Sequence, residues 1–197
     1  MLNTSVRFSH LLLKECVQPG DTAIDATMGN GNDTCLLAEL VGKTGQLYSF
    51  DIQELALNNT AARLHELALH QRVQLIHDGH QNLGNYLATD APLKAAIFNL
   101  GYLPQSNKSI ITLPETTKLA LDECLARLVP RGRIIIVAYL GHVGGDLELT
   151  TVKNYCQALP QEQYNVLNYQ FINQEKMPPV LFCIEKRVLK QKALSFH

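Results

Sequence analysis

The order of the strand-like and helix-like segments constrains the fold of this chain more than any other feature. Five strand–helix units are followed by two strands that have no helix between them. A helix between neighbouring strands forces a parallel crossover, which is almost always right-handed. Without a last helix, the seventh strand is free to insert antiparallel. We therefore predict an α/β protein with a Rossmann-like, doubly wound, seven-stranded sheet whose last strand is antiparallel.

The boundaries of these segments follow from apolar periodicity and from turn residues. Predicted strands cover residues 22–26, 46–50, 73–76, 95–98, 133–139, 164–171 and 180–186. Predicted helices cover residues 5–17, 33–41, 55–69, 114–130 and 146–159, the fourth being opened by Pro114 and closed by Pro130. No repeat or linker interrupts the pattern, so we expect one domain over residues 1–197, with an N-terminal helix within 1–20 and a tail at 188–197.

Composition narrows the class of protein. With 46% hydrophobic residues the chain can bury a core, yet its longest apolar run, residues 134–140, is far shorter than the ~20 residues of a membrane span. The N-terminus lacks the apolar region of a signal peptide, so we expect a soluble, cytoplasmic protein with no membrane partner. The net charge of -1 argues against a general polyanion binder but allows a local basic patch. Five cysteines without a short pairing predict free thiols and no metal site.

Polar or glycine-rich loops follow each predicted strand of the parallel part of the sheet. They span residues 27–34, 51–53, 77–80, 99–107 and 140–145. Open sheets of this kind bind ligands beyond the carboxyl ends of their strands. All five loops lie at that edge, so we predict the functional site there.

The first of these loops predicts a cofactor site. Gly29 and Gly31 permit a tight turn and a close approach of a ligand to the backbone, and Asp33 or Thr34 is expected to cap the next helix. Thr34 stands where the dinucleotide fingerprint has its third glycine, which argues against NAD. The polar side chains instead suit a cofactor with an amino-acid end. The predicted contacts from this region are Asp25, Thr27, Gly29, Asn30, Gly31, Asn32 and Asp33.

The next two strand ends carry acidic residues suited to adenosine. Asp51 could accept both hydroxyl groups of a ribose, with Gln53 beside it, although a carboxylate at a strand end also caps helices. Asp78 could accept a hydrogen bond from the amino group of adenine. Gly79 and His80 would complete this wall of the pocket, although a histidine at a helix start often has no ligand role. Together these positions predict adenosine binding.

The end of the fourth strand predicts the substrate side. Asn99-Leu100-Gly101-Tyr102 occupies the place at which amine methyltransferases of nucleic acids and proteins keep an Asn/Asp-Pro-Pro-Tyr/Phe tetrapeptide. In that motif the Asn oxygen accepts a hydrogen bond from the target nitrogen, and the aromatic ring stacks on the substrate. Only the first and fourth positions match here, because Leu and Gly replace the two prolines. We expect Asn99 to orient an amine and Tyr102 to stack on the substrate.

Segments from about His10 to Lys186 resemble one small bacterial family. They read IDATMGNG at 24–31, FDIQ at 50–53, FNLGYLP at 98–104, YLGH at 139–142, Gly-Gly at 144–145, FINQ at 171–174 and Pro-Pro at 178–179. The family is that of the tRNA 5-aminomethyl-2-thiouridine methyltransferases, formerly labelled rRNA methylases, which have the class I S-adenosylmethionine-dependent methyltransferase fold. The resemblance implies N-methylation of the 5-aminomethyl group of 2-thiouridine at the tRNA wobble position. It also implies S-adenosyl-L-methionine as cofactor, S-adenosyl-L-homocysteine as product, and cofactor contacts by Asn30, Asn32, Asp33, Asp51, Gln53 and His80.

The implied reaction is an in-line displacement at a sulfonium methyl group, which needs neither a nucleophilic side chain nor a metal. The enzyme must align the reactants and present the amine in its neutral form. A base, if one is used, would be His142 or His80, and solvent could serve equally well. Residues 105–107 read Gln-Ser-Asn where we expect Gly-Gly-Asp in the family. Three other histidines are interpreted as ordinary helix residues: His10, His65 and His70.

The resemblance implies tRNA as the partner, contacted at its anticodon region, and a homodimer is compatible with the sequence. Candidate phosphate contacts are dispersed along the chain: Arg7, Lys14, Lys108, Arg131, Arg133, Lys186, Arg187, Lys190 and Lys192. Two kinds of alternative stay open. One is a small-molecule or rRNA methyltransferase on the same fold, and the other is a non-catalytic nucleotide- or RNA-binding module. A dehydrogenase is a more distant third. Affinity for tRNA that falls steeply with salt would distinguish a tRNA enzyme from a small-molecule enzyme.

Overall fold

A computed structural model describes residues 1–101, 111–140, 144–175 and 177–188. The strands are β1 (Thr22–Asp25), β2 (Gln46–Asp51), β3 (Val73–His77), β4 (Leu93–Leu100), β5 (Leu128–Ala138), β6 (Tyr164–Tyr169) and β7 (Val180–Lys186). The α-helices are α1 (Ser5–Cys16), α2 (Asn32–Val41), α3 (Glu54–Glu66), α4 (Pro114–Arg127) and α5 (Gly145–Ala158). Two 3₁₀ turns lie at His70–Arg72 and His80–Asn85.

The seven strands form one sheet in the order β3-β2-β1-β4-β5-β7-β6. Strands β1 to β5 pair in parallel with their neighbours, whereas β7 is antiparallel to both β5 and β6. The chain reverses its direction of winding after β3, so the carboxyl ends of β1 and β4 lie side by side. The predicted doubly wound sheet with an antiparallel last strand is therefore confirmed.

Apolar side chains cover both faces of the sheet. Helices α1, α2 and α3 pack on one face, and α4, α5 and the 80–85 turn pack on the other. The middle of β5 shows the pattern, because Ile134 and Ile136 point to one cluster while Ile135 and Val137 point to the other. Such a strand has no polar face, as its unbroken run of Ile and Val predicts. All five cysteines are free, which confirms the predicted free thiols, and all five are buried in the core.

Two predicted helix ends are wrong by several residues. Helix α4 ends at Arg127, and Pro130 lies inside β5 rather than after the helix. The pairing of β5 with β4 shifts between Leu128 and Arg133, and this irregular stretch accommodates a proline that cannot donate to a regular ladder. Helix α3 ends at Glu66, and Ala68 adopts a left-handed conformation with φ of 54°, so the helix does not continue to residue 69.

Helix α1 is fixed to the last two strands of the sheet. The Ser5 hydroxyl donates to the Pro179 carbonyl oxygen over 2.5 Å, and the Tyr169 hydroxyl donates to the Asn3 carbonyl oxygen over 2.7 Å. The rings of Phe8 and Tyr169 pack with their centroids 4.5 Å apart. These contacts hold the helix across the sheet, next to α2. Of the helices that the structure describes, none is long and apolar enough to cross a membrane.

Candidate active site

The glycine loop after β1 packs closely against helix α3. Gly29 and Gly31 both have positive φ angles, 49° and 77°. A Cβ atom on Gly31 would lie 3.0 Å from Oγ1 of Thr60, so a larger residue would be both strained and crowded there. The Thr60 hydroxyl donates to the carbonyl oxygen of Gly29 over 3.1 Å. Contacts to α3 therefore help to fix this loop.

Asp51, at the end of β2, holds this loop against the second strand. One carboxylate oxygen accepts from the backbone N–H of Gly29 at 3.0 Å, and the other accepts from the backbone N–H of Gln53 at 3.0 Å. Gln53 is the N-cap residue of α3. Burial raises the pKa of Asp51, and these backbone donors oppose that shift. The carboxylate thus keeps acceptor capacity at the position where the sequence predicts a ribose.

Asp25, at the end of β1, is fully buried beneath the loop. Its carboxyl group accepts from the Thr34 hydroxyl at 2.6 Å and from the Thr27 backbone N–H at 3.2 Å. Burial and the charge of Asp33 raise the pKa of Asp25 to about 7. The predicted capping role of Asp33 or Thr34 is wrong, because α2 begins at Asn32 with the left-handed Gly31 as its N-cap and no side-chain cap.

The outer side of the loop is tied to α3 through amide groups. The Asn59 side chain donates to Oδ1 of Asn30 over 3.0 Å. Arg63 donates to the Asn30 carbonyl oxygen over 3.4 Å and to the side-chain oxygen of Asn32. Both asparagines that were predicted to contact the cofactor are thus fixed by side chains of α3. Arg63 and Asn59 were not predicted, because nothing in the sequence indicates which residues of α3 face the loop.

Asp33 joins the first loop to the end of β4. One of its oxygens lies 2.6 Å from Nε2 of His10, and the other accepts from the Nδ2 group of Asn99 at 2.6 Å. The backbone N–H of Asn99 donates to the Thr27 hydroxyl over 2.8 Å. His10 lies on a helix, as predicted, and its side chain also contacts Asp33. Its contact with Asp33 depends on the docking of α1, which the sequence pattern does not predict.

His80 is 7% exposed, at the start of the 3₁₀ turn after β3. Its Nδ1 atom lies 3.1 Å from the carbonyl oxygen of Ala26, so Nδ1 carries the hydrogen and Nε2 is an acceptor. Burial lowers the pKa of His80 and favours this neutral form. Among the described residues, Nε2 has no hydrogen-bond partner. A buried acceptor of this kind suits a ligand that brings its own N–H donor.

Asp78 is already engaged by protein donors. It accepts from the backbone N–H of Gly79 at 2.7 Å, from the Asn82 amide at 2.8 Å and from the Tyr86 hydroxyl at 2.9 Å. The Asn82 hydrogen bond is the main reason why the pKa of Asp78 is lowered. The carboxylate therefore organises the turn that carries His80, and its contact with adenine stays a prediction.

A buried carboxylate supports the far end of β4. Glu148 of α5 is 2% exposed and accepts from the hydroxyl groups of Thr112 at 2.7 Å and Thr117 at 3.2 Å. The Thr112 hydroxyl in turn accepts from the backbone N–H of Gly101 at 3.0 Å. No local pattern in the sequence predicts this cluster, which links Gly101 after β4 to Thr112 before α4. Several predicted features lie outside the described residues: Tyr102, His142, the 105–107 segment, Lys108, Lys190, Lys192 and the predicted tail from residue 189 onward.

The structure brings together at one edge the remaining predicted site residues. They are Asp25, Thr27, Gly29, Asn30, Gly31, Asn32, Asp33, Asp51, Gln53, Asp78, Gly79, His80 and Asn99. The positive-φ glycines and the unpartnered Nε2 atom of His80 fit a nucleoside cofactor that approaches the backbone closely. Within the part of the chain that the structure describes, no group of three His, Cys, Asp or Glu side chains could hold a metal ion.

Several candidate phosphate contacts have internal partners. Arg133 binds Glu15 at 3.0 Å and Glu185 at 2.9 Å. Lys186 donates to the Leu128 carbonyl oxygen, and Arg187 donates to that of Gln161. Of the described candidates, the exposed ones without such a partner are Arg7, Lys14 and Arg131.

Comparison with known proteins identifies the family. The family model described as "Putative rRNA methylase" matches residues 47–185. The chloroplastic tRNA (mnm(5)s(2)U34)-methyltransferase of Arabidopsis thaliana is 36% identical over 186 residues, which cover 90% of this chain and 68% of that protein. A crystal structure of a "putative rRNA-methylase" from Clostridium thermocellum is 46% identical with a TM-score of 0.91, covering 94% of this chain and 99% of that one.

A second solved structure carries a ligand. A "putative methyltransferase" from Streptococcus mutans in complex with SAH is 43% identical with a TM-score of 0.86, covering 94% of this chain and 99% of that one. An S-adenosylmethionine-dependent O-methyltransferase from Thermotoga maritima, at 17% identity and a TM-score of 0.64, shares the fold. The chain therefore belongs to the family described as "Putative rRNA methylase" and is an S-adenosylmethionine-dependent methyltransferase.

Proposed function

We propose that this chain N-methylates the 5-aminomethyl group of 2-thiouridine at the wobble position of tRNA. One observation carries the proposal. The amide of Asn99 is held by Asp33 through its Nδ2 group, which leaves its Oδ1 atom as an acceptor beside the predicted cofactor loop. Similarity over 90% of the chain to a tRNA wobble-uridine methyltransferase of Arabidopsis thaliana supports the choice of substrate.

We propose that the three loops after β1, β2 and β3 hold the cofactor. The glycine loop would receive its amino-acid end, Asp51 its ribose, and the turn carrying Asp78 and His80 its adenine. S-adenosylmethionine supplies a methyl group bonded to a positively charged sulfur. Asp51 at the end of β2 and Asp33 in the first turn of α2 place carboxylates beside this pocket, and negative charge there favours a cation.

Asn99 would prepare the attacking amine. An ammonium group has no lone pair, so the target nitrogen must reach the site neutral, and an environment with little water favours the neutral form. An N–H of the amine would donate to Oδ1 of Asn99, which fixes the direction of the lone pair. Alignment of this kind lowers the barrier without a covalent intermediate on the protein. Tyr102 is proposed to stack on the uracil ring.

His80 is a poor choice for the base that removes the proton from the methylated amine. It is buried, and its Nδ1 atom is committed to the Ala26 carbonyl oxygen. We propose that His80 serves the cofactor and that His142 or solvent takes the proton. The whole reaction would be carried by a single domain, residues 1–197.

We further propose that the enzyme acts in the cytoplasm and binds the anticodon region of tRNA, with a homodimer as the assembled form. The exposed cations Arg7 and Lys14 on α1 lie on the same helix as His10 and would contact phosphates near the site. Neutralising phosphates makes affinity depend on salt. We therefore expect tRNA affinity to fall steeply between low and physiological salt.

The direct test is methylation of tRNA that carries 5-aminomethyl-2-thiouridine, followed by mass spectrometry of its nucleosides. The wild-type protein should convert this nucleoside to its N-methyl form, and Asn99→Ala should reduce the rate by about tenfold to a hundredfold through loss of alignment. tRNA that lacks the aminomethyl group is the matched control and should remain unchanged. An unmodified nucleoside profile with the correct tRNA would contradict the proposal.

The family description makes ribosomal RNA a second candidate substrate. Similarity to a "Ribosomal RNA small subunit methyltransferase H" of Streptococcus mutans covers only 38% of this chain, at 36% identity. The same assay with small-subunit rRNA in place of tRNA decides between the two. Methyl transfer to rRNA alone would replace the tRNA proposal.

A further inference from the structure

Three side chains in hydrogen-bond contact link the N-terminal helix to the predicted substrate position. His10 of α1 contacts Asp33 of α2, and Asp33 contacts Asn99 of β4, with both distances 2.6 Å. The Asp33 side chain is 12% exposed and that of His10 is 31% exposed. The cluster is thus sheltered by protein on the Asp33 side and reachable from solvent at His10.

The hydrogen-bond roles within this cluster are fixed by Asp33. An ionised carboxylate can only accept, so both of its partners must donate. Asn99 must therefore point Nδ2 towards Asp33 and Oδ1 away from it. His10 must carry a hydrogen on Nε2, whether its ring is neutral or charged. With both carboxylate oxygens engaged, Asp33 cannot rotate away without losing a hydrogen bond to a charged group.

We propose that His10 is a positioning residue for the methyl transfer, acting through Asp33 to hold the Asn99 amide oxygen towards the target amine. This inference rests on the proposed function, in which Asn99 orients that amine. Donation from Nδ2 to a carboxylate also increases the negative charge on Oδ1, because hydrogen bonds in series polarise one another. A stronger acceptor at Oδ1 helps most when positive charge develops on the attacking nitrogen.

A purely structural role for His10 is the main competing explanation. Helix α1 already has other attachments, from Ser5 to Pro179, from Asn3 to Tyr169 and between the rings of Phe8 and Tyr169. Its docking does not depend on His10 alone. Removal of the imidazole should therefore change the orientation of Asn99 more than it changes the stability of the fold.

The kinetic test compares two substitutions of His10. In His10→Ala the carboxylate loses one donor, and kcat for tRNA methylation should fall by about tenfold, the usual effect of one hydrogen bond to a charged group. The KM for tRNA and the Kd for S-adenosylmethionine should stay within about twofold of wild type. His10→Gln places an amide N–H near the former Nε2 and should restore most of kcat. His65→Ala, on the exposed face of α3, is the matched control and should behave as wild type.

An unchanged kcat in His10→Ala, a change confined to KM, or failure of His10→Gln to restore kcat would each overturn the proposal. A second measurement separates it from the proposed function. In nitrogen-edited NMR spectra, the side-chain amide signal of Asn99 is identified by its disappearance in Asn99→Asp. This signal should shift in His10→Ala, return towards its wild-type position in His10→Gln and stay in place in His65→Ala.

If the wild-type protein methylates no tRNA, the proposed function fails, and the NMR comparison still decides whether His10 orients Asn99. An Asn99 signal that is the same in wild type and His10→Ala would overturn the positioning role whatever the substrate. A shift of that signal in His10→Ala would support the positioning role of His10, whether or not the protein methylates tRNA.

Discussion

The two sides of the site are built in different ways. On the cofactor side, defined by the loops after β1, β2 and β3, carboxylates bind backbone N–H groups, as Asp51 does with Gly29 and Gln53. On the substrate side, defined by His10, Asp33 and Asn99, side chains from three separate elements bind one another. The Asp51 contacts of the first side are made to the main chain, with further contacts from α3 side chains, whereas the second side depends wholly on how the elements pack.

This difference has a physical consequence. Backbone donors are present at every residue except proline and move only with the loop itself, so contacts to them depend little on how other side chains pack. Side-chain pairs lose rotamer freedom when they are ordered, which costs free energy and makes their geometry sensitive to single substitutions. Substitutions on the cofactor side should therefore affect binding and stability, and those on the substrate side should affect turnover.

The largest expected effect tests the cofactor side directly. In Asp51→Asn the new amide group can accept at only one of its two polar atoms, so either Gly29 or Gln53 loses its acceptor and the proposed ribose contact is weakened. The affinity for S-adenosylmethionine should fall by about a hundredfold, roughly the loss of one or two hydrogen bonds to a charged group. Isothermal titration calorimetry measures this, with Asp90→Asn on an exposed loop as the control. Equal affinities for Asp51→Asn and wild type would show that Asp51 does not serve the cofactor.

The second prediction concerns the pH dependence of stability. Because Asp25 has a pKa of about 7 in the folded protein and about 4 when unfolded, it holds its proton longer in the folded state. The free energy of unfolding should then fall as pH rises from 4 to 7. Asp25→Asn removes this dependence, so the free energy of unfolding of this variant should rise relative to that of wild type between pH 4 and pH 8.

Urea unfolding at several pH values measures this difference. All other titrating groups are shared by the two proteins, so the difference between them isolates Asp25. A gap that stays constant with pH would mean that Asp25 is ionised in the folded protein throughout this range.

A third, smaller effect tests the strain in the glycine loop. Gly31→Ala places a side chain at φ of 77°, against Thr60, and should lower the free energy of unfolding by about 1–2 kcal/mol. Adding Thr60→Ser removes the Thr60 methyl group, which lies 3.1 Å from the new Cβ, but leaves the backbone strain. The double variant should therefore recover only part of the loss. Full recovery would assign the whole effect to crowding.

The smallest effect on cofactor affinity is expected where α3 contacts the solvent-exposed side of the glycine loop. Arg63→Met removes the donor that binds Asn30 and Asn32, but these contacts are exposed to water. We expect S-adenosylmethionine affinity to fall only about twofold to fourfold, in line with an exposed hydrogen bond. Lys43→Met, an exposed cation away from the loop, is the comparison variant. If the loss of S-adenosylmethionine affinity were as large as in Asp51→Asn, the glycine loop would be held mainly by α3.

The same contrast explains how much could be predicted from the sequence. Strand ends and glycine turns are local signals, and they predict the doubly wound sheet with its antiparallel last strand. They also predict that Asp51 ends the second strand and that His80 follows the third. The partners of Asp33 are not local signals. His10 lies in a different helix, and the geometry that joins it to Asp33 comes from the docking of α1 on β6 and β7.

Glu148 illustrates the same limit. An acidic residue in the first turn of a helix predicts a favourable interaction with the helix dipole at the surface. The structure instead buries it against Thr112 and Thr117, which follow β4. Only the packing of α5 on α4 creates that environment. The prediction that Pro130 ends a helix is wrong because it lies in β5, where the pairing with β4 is irregular. An irregular stretch accommodates a proline that a regularly paired strand does not.

The attachment of α1 to the end of the chain sets an order of events during synthesis. The hydroxyl of Ser5 needs the Pro179 carbonyl, and Tyr169 must be present to reach Asn3. The first helix to leave the ribosome therefore cannot complete its attachments until the last strands have been made. A nascent chain that ends before Tyr169 can form its cofactor loop, but it cannot yet make either of these two contacts.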